Sequence, residues 1–143
     1  MYIFGETSNK RRAGVDSLLI ELTDRALAMM YRKGHCDMTI PLWGGKRSAE
    51  EQFKIFQQGN SELDGYEDKS YHQSGLAIDV IPYVNGKGTY KFIEGFFDFA
   101  QCMFTVWANM VAEGKTGSYV LEWGGFWGST GWDKPHWQLV KKT

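Results

Sequence analysis

The chain holds only three histidines, and two of them stand near carboxylates at spacings that can do chemistry. His72 lies in the run Ser70-Tyr71-His72-Gln73-Ser74-Gly75-Leu76-Ala77-Ile78-Asp79. Asp79 interrupts an otherwise apolar stretch, Leu76, Ala77, Ile78, Val80 and Ile81. A carboxylate inside a buried strand must be paired, hydrogen-bonded or on a metal, because burying it alone is too costly. Gly75 permits a sharp turn between the two, so His72 and Asp79 can converge on one ion or hydrogen-bond to each other. His136 follows Asp133 by three residues in Trp132-Asp133-Lys134-Pro135-His136-Trp137. Pro135 excludes a continuous helix there. The pair therefore sits on a turn, either aimed into one cleft or as a rim histidine beside a surface carboxylate. His35, after Gly34 at a predicted helix end, reads as a capping or surface residue.

Taken together, His72, Asp79 and His136 form a set of two imidazoles and one carboxylate. Zn²⁺ accepts such ligands, and three protein ligands leave a fourth position for water, which is the catalytic arrangement. Non-haem Fe(II) uses the same set. Asp133, brought near by its neighbour His136, is then free to act as a general base.

The elements that must position these groups can be read coarsely. Asp16 caps a helix with Leu18, Leu22, Ala26, Met29 and Met30 on one face and Gly34 as its stop. Met38–Trp43 reads as a short strand, at an edge because of Pro41. Ser48 and Glu51 make a capping box for a helix ending near Gln58. Residues 60–71 read as polar and irregular. Gly75–Pro82 reads as one buried strand, and Asn85-Gly86 as a turn. Lys91–Glu113 is the longest predicted helix, with Phe92, Phe96, Ala100, Met103, Trp107 and Met110 as its apolar stripe. Tyr119–Trp123 and His136–Val140 are predicted strands on either side of a glycine-rich, aromatic loop. This order predicts an α+β domain with a small, mainly antiparallel sheet.

Composition narrows the function classes. At 143 residues the chain is expected to form one domain, 1–143, without a separate wall-binding module. A formal net charge of −1 argues against a protein built for non-specific grip on nucleic acid. No apolar run approaches the roughly 20 residues of a membrane span, and the N-terminus lacks the apolar core of a secretory signal. Synthesis in the cytoplasm, no membrane insertion and a monomer are the expectation. Cys36 and Cys102 make no disulfide framework and read as reduced, packed thiols. The chain is rich in aromatics, with six Trp, seven Tyr and nine Phe, most of which must be core.

Two motifs then acquire a family resemblance. Ser70, His72, Gly75, Ala77 and Asp79 fit S-x-H-x-x-G-x-A-x-D, which resembles the first metal motif of the zinc D-Ala-D-Ala and L-Ala-D-Glu peptidases of peptidoglycan. These belong to the lysostaphin, D-Ala-D-Ala peptidase and hedgehog group. Asp133, His136 and Trp137 resemble the second motif. Phe4-Gly5-x-x-Ser8 with Gly14-Val15-Asp16 resembles the N-terminal signature of phage endolysins in this family. Gly45-Lys46-Arg47-Ser48 resembles their G-x-R-[ST] turn, and Leu121-Glu122-Trp123-Gly124-Gly125-x-Trp127 their E-W-G-G-x-W strand. Two departures, Phe126 where the family often has Asp and a longer loop from Trp127 to Asp133, are expected on the cleft rim.

The resemblance implies one Zn²⁺ per chain on His72, Asp79 and His136, with Asp133 taking the water proton and passing it to the leaving amine. It assigns Arg47 to the oxyanion or to a substrate carboxylate; the alternative for Arg47 is an exposed pair with Glu50 or Glu51. Ser70 orients the His72 loop or holds substrate. Among Tyr71, Trp123, Trp127, Trp132 and Trp137, the loop residues Trp127 and Trp132 are the best candidates for a groove, since an aromatic is more often core. The implied activity is a phage endolysin cutting the L-Ala-D-Glu bond of the peptidoglycan stem peptide, reaching the periplasmic wall after release from the host cytoplasm. The alternatives are a D-Ala-D-Ala carboxypeptidase or dipeptidase, and a non-catalytic zinc-containing wall-binding module.

Overall fold

In a computed structural model, residues 1–142 are described. The chain opens with a short helix α1, Glu6–Arg11, which sequence reading did not anticipate. Helix α2 follows over Ser17–Arg32, and the Asp16 carboxylate accepts from the Leu18 amide as its cap. Its buried face is Leu19, Leu22, Thr23, Ala26, Leu27 and Met30, with Leu18 and Met29 packed at the margin. Strand β1 is Asp37–Thr39, shorter than the Met38–Trp43 run expected. Helix α3, Ala49–Gln57, carries the expected capping box, with Ser48 accepting from the Glu51 amide and Glu51 reaching back.

The Gly75–Pro82 run is two strands rather than one. β2 is Ala77–Asp79 and β3 is Ile81–Val84, and Val80 is the hinge between different sheets. The Val80 amide donates to Pro135 O at 2.9 Å instead of joining either ladder. β3 turns at Asn85-Gly86 into β4, Lys87–Gly88, and the positive φ at both turn residues matches a two-residue hairpin. Helix α4 spans Ile93–Ala112, followed by β5, Tyr119–Trp123, and β6, His136–Lys141.

The single small sheet expected from sequence is therefore two three-stranded antiparallel sheets, β1-β3-β4 and β2-β6-β5, within the α+β class. α2 packs on α4. Their apolar faces meet the inner residues of the second sheet: Ile78, Trp123, Trp137 and Leu139 share one core with Leu19, Leu22, Phe99 and Met103. Trp123 and Trp137 stack at 5.4 Å across the β5–β6 ladder. Each large side chain fully buried in this way contributes about 1.5–3 kcal/mol, so the second sheet is anchored from behind by the helices. Cys102 is buried in that core and Cys36 is half-buried at its edge, both as free thiols.

Candidate metal centre

The β2–β6 ladder places Asp79 directly opposite His136, so two distant motifs meet as one cross-strand pair. His72 comes from the 3-10 turn Tyr71–Ser74, just before β2. Ser70 caps that turn, its hydroxyl accepting from the His72 amide at 3.1 Å. Gly75 ends the turn at φ 76°, and a Cβ there would lie 2.6 Å from Gly14 O. The Asp16 amide donates to Gly75 O at 2.9 Å. The Gly14-Val15-Asp16 signature thus caps α2 and docks it against the histidine turn.

The Gly44–Arg47 segment locks the other side. Asp79 N donates to Gly44 O at 2.7 Å, and Arg47 N donates to His72 O at 3.0 Å. Gly45 packs so closely on α1 that a Cβ would meet Arg11 O at 2.0 Å.

Three atoms converge. His72 Nε2 and His136 Nδ1 are 3.2 Å apart, and Asp79 Oδ1 lies 3.3 Å from the first and 3.2 Å from the second. Each ring's other nitrogen faces a carbonyl-type oxygen: His72 Nδ1 faces Gly45 O at 2.9 Å, and His136 Nε2 faces Gln138 Oε1 at 2.7 Å. An N–H is needed at each of those contacts, so the neutral rings turn their lone pairs toward Asp79. Three electron-rich atoms then share one small space, which suits a cation. Tetrahedral bonds of about 2.0–2.1 Å require donor atoms about 3.3 Å apart, the spacing seen here. The group could hold a metal ion, and the donor set suits a borderline metal.

The shifts at Asp79 and His72 favour the forms a metal takes, whereas that at His136 favours the protonated ring, whose proton a cation must displace. Burial alone would raise Asp79, but the facing His72 and His136 rings outweigh it and hold the carboxyl well below its usual range. Burial pushes His72 down, against the pull of Asp79. His136 is raised despite its burial, by its contacts with Asp79 and Gln138. A carboxylate that stays ionised and an imidazole that stays neutral are the forms a metal takes.

Asp133 lies on the turn before β6, half-buried in the wall of the same cleft. Its main chain packs against Gly124, where a Cβ would fall 2.2 Å from Asp133 O. Burial, assisted by the negative charge of Asp79, pushes its carboxyl up to about 6. Arg47 makes no exposed pair with Glu50 or Glu51. Its Nη2 lies 3.2 Å from Asp79 Oδ2, Nη1 donates to Gln52 Oε1 at 2.9 Å, and Nε donates to Trp43 O at 2.7 Å. Three of the five guanidinium N–H groups are engaged, and the side chain still borders the cleft.

The cleft has a volume of about 820 Å³, and Tyr71, Trp127, Trp132 and residues 59–63 are among those that line it. Trp127 leans on the His136 ring at 5.2 Å and on Trp132 at 5.4 Å. Trp132 is 67% exposed, whereas Trp123 and Trp137 are core. Ser70 also borders the cleft. Phe126 does not line this cleft as expected: it stacks on Phe104 of α4 at 5.7 Å. His35 lies far in the chain from these groups and pairs with Asp98 at 3.4 Å, tying the end of α2 to α4.

Gln138, which lines the cleft and contacts the His136 ring, is the residue of this site that sequence reading missed. Its signal was available: in a strand, residues 136 and 138 share a face.

Comparison with known proteins places this site in context. A family model described as phage L-alanyl-D-glutamate peptidase matches residues 1–139. No curated protein matches the sequence. Among solved structures, the fold is similar to that of Serratia marcescens L-Ala D-Glu endopeptidase ChiX. The TM-score is 0.72 at 22% identity, over 96% of this chain and 90% of that one.

Proposed function

The chain belongs to the phage L-alanyl-D-glutamate peptidase family, and from that premise we propose that it is a zinc-dependent endolysin cutting the L-Ala-D-Glu bond of the peptidoglycan stem peptide. The observation that carries this reading is the convergence of His72 Nε2, Asp79 Oδ1 and His136 Nδ1 in one cleft with a second, half-buried acid, Asp133. Bound by the three donors, zinc supplies a Lewis acid and lowers the pKa of water toward neutrality.

The chain's own groups account for the proton traffic. Asp133 accepts a proton from the attacking water as its oxygen adds to the alanyl carbonyl carbon. When the C–N bond breaks, the same carboxyl returns the proton to the leaving amine of D-Glu, so the base is regenerated. A carboxyl held near pH 6 suits both halves of that task better than an ordinary one. Arg47 holds the Asp79 carboxylate, and its remaining N–H groups serve an oxyanion or a substrate carboxylate in the cleft. Trp127 and Trp132 present flat apolar faces to the stem peptide or its glycan, and Ser70 keeps the His72 turn in place beside it.

Mass analysis of muropeptides, before and after digestion of purified peptidoglycan, tests the proposal. A new amino terminus on D-Glu, abolished by chelator and restored by zinc, is the expected result. Loss of a terminal D-Ala would instead make the enzyme a carboxypeptidase, and intact muropeptides would make the domain a binding module.

A further inference from the structure

The two imidazoles differ in what holds their second nitrogen. His72 Nδ1 donates to a main-chain carbonyl, Gly45 O, which cannot turn round. His136 Nε2 faces a carboxamide, Gln138 Oε1 at 2.7 Å. Rotated by 180°, a carboxamide offers its NH₂ instead and reverses what it asks of the ring. His136 would then have to accept at Nε2 and carry its hydrogen on Nδ1, the atom 3.2 Å from both Asp79 Oδ1 and His72 Nε2. In that state it has no lone pair to give a metal.

Glu122 decides the orientation. It is the cross-strand partner of Gln138 in the β5–β6 ladder, and its Oε1 accepts from Gln138 Nε2 at 2.8 Å. An ionised carboxylate only accepts, so it selects the NH₂ end and turns the carboxamide oxygen toward His136. Gln138 is 7% exposed, so water competes little for either end. Resting on the metal-centre reading above, we propose that Glu122 is a positioning residue: through Gln138 it fixes the His136 tautomer whose Nδ1 lone pair faces His72 and Asp79. The relay Glu122–Gln138–His136 makes one arm of the site depend on side chains, while the other depends on backbone.

The test reads the His136 ring directly. ¹⁵N NMR of imidazole-labelled, metal-free protein, at a pH where both site rings are neutral, shows which nitrogen carries hydrogen. Zinc affinity is measured separately by competition with a chromophoric chelator. In the wild type, His136 should be Nε2–H. Glu122→Ala should populate the Nδ1–H form and weaken zinc by about 10–100-fold. Gln138→Glu alone should also weaken zinc, because two carboxylates then face each other across the ladder. Combining Glu122→Gln with Gln138→Glu reverses the relay and keeps an acceptor on His136 Nε2, so the ring should be Nε2–H as in the wild type and the zinc affinity lost in Gln138→Glu should be restored. Unchanged tautomer and affinity in Glu122→Ala would overturn the proposal, as would failure of the reversed pair to keep that tautomer and restore that affinity. A wild type that binds no zinc would sink the metal-centre reading, while the tautomer measurement, made without metal, still decides the role of Glu122.

Discussion

The two sheets are built from adjacent residues and do different work. β3 begins two residues after β2 ends, yet β1-β3-β4 holds none of the converging donors, whereas β2-β6-β5 holds two of the three. The first sheet is closed in part by a local hairpin, and both residues of β4 are exposed. The second is closed by pairing residues 77–79 with 136–138, and four of the six residues of β6 are buried. Both sheets touch the helices, β1 on α2 and β3 on α4, but the converging donors are carried by the sheet that sends Ile78, Trp123, Trp137 and Leu139 into the shared core.

Substitutions can break or sharpen that contrast. The largest effect is expected for His72→Ala, which leaves two donors of three. It should lose stoichiometric zinc and hydrolysis together, while Tyr83→Ala in the first sheet keeps both; elemental analysis and muropeptide release measure this. Zinc retained in His72→Ala at wild-type level would sink the assignment.

Next is Asp133→Ala, which should retain zinc and fold but lose about 10²–10⁴-fold in hydrolysis, the span of a positioned acid–base group. Asp133→Asn should resemble it, since an amide keeps the shape and cannot take the proton. Zinc lost as fully as in His72→Ala would make Asp133 a ligand instead.

A pH profile refines the same point. A general base works deprotonated, so activity should rise with pH through the Asp133 pKa. That carboxyl is held up to about 6, and a bound cation lowers it, so the acid limb should lie at or below about pH 6. The limb should vanish from the residual activity of Asp133→Asn. Its persistence unchanged would assign it to another group.

Smaller effects belong to the first sheet and the helix ends. Gly86 has φ 82°, and a Cβ added there would meet nothing within 4 Å, so Gly86→Ala brings only backbone strain. It should lower stability by about 1–2 kcal/mol, read as a lower Tm, with zinc content unchanged. His35→Ala should cost at most about 1 kcal/mol and leave activity and metal intact. Loss of zinc in either variant would show that the sheets are less independent than their packing implies.

Much of this was legible in the residues. Capping at Asp16 and Ser48, the turn at Asn85-Gly86 and the long α4 depend on neighbours a few positions apart, and all appear where local chemistry puts them. The division of Gly75–Pro82 was not legible. Alternation and apolarity look the same on both sides of Val80, and only the Pro135 carbonyl that takes its amide separates the strands. The short β1 has a similar cause: its pairing ends at Thr39, opposite Ile81, where β3 begins. Phe126 was misplaced because a glycine-rich loop gives no periodicity from which to read a direction.

By itself the sequence determined the candidate donor types, their order and the acid beside them, because a carboxylate amid apolar residues and a histidine next to a proline-stiffened turn are chemical statements needing no partner. Tertiary structure decided which atoms meet. The Asp79–His136 register spans 57 residues, and no local preference specifies a pairing at that range. The same holds for Arg47 on Asp79 and for Glu122 on Gln138: each is an electrostatic or hydrogen-bonding choice among several possible partners, decided by which segments lie side by side in the folded chain.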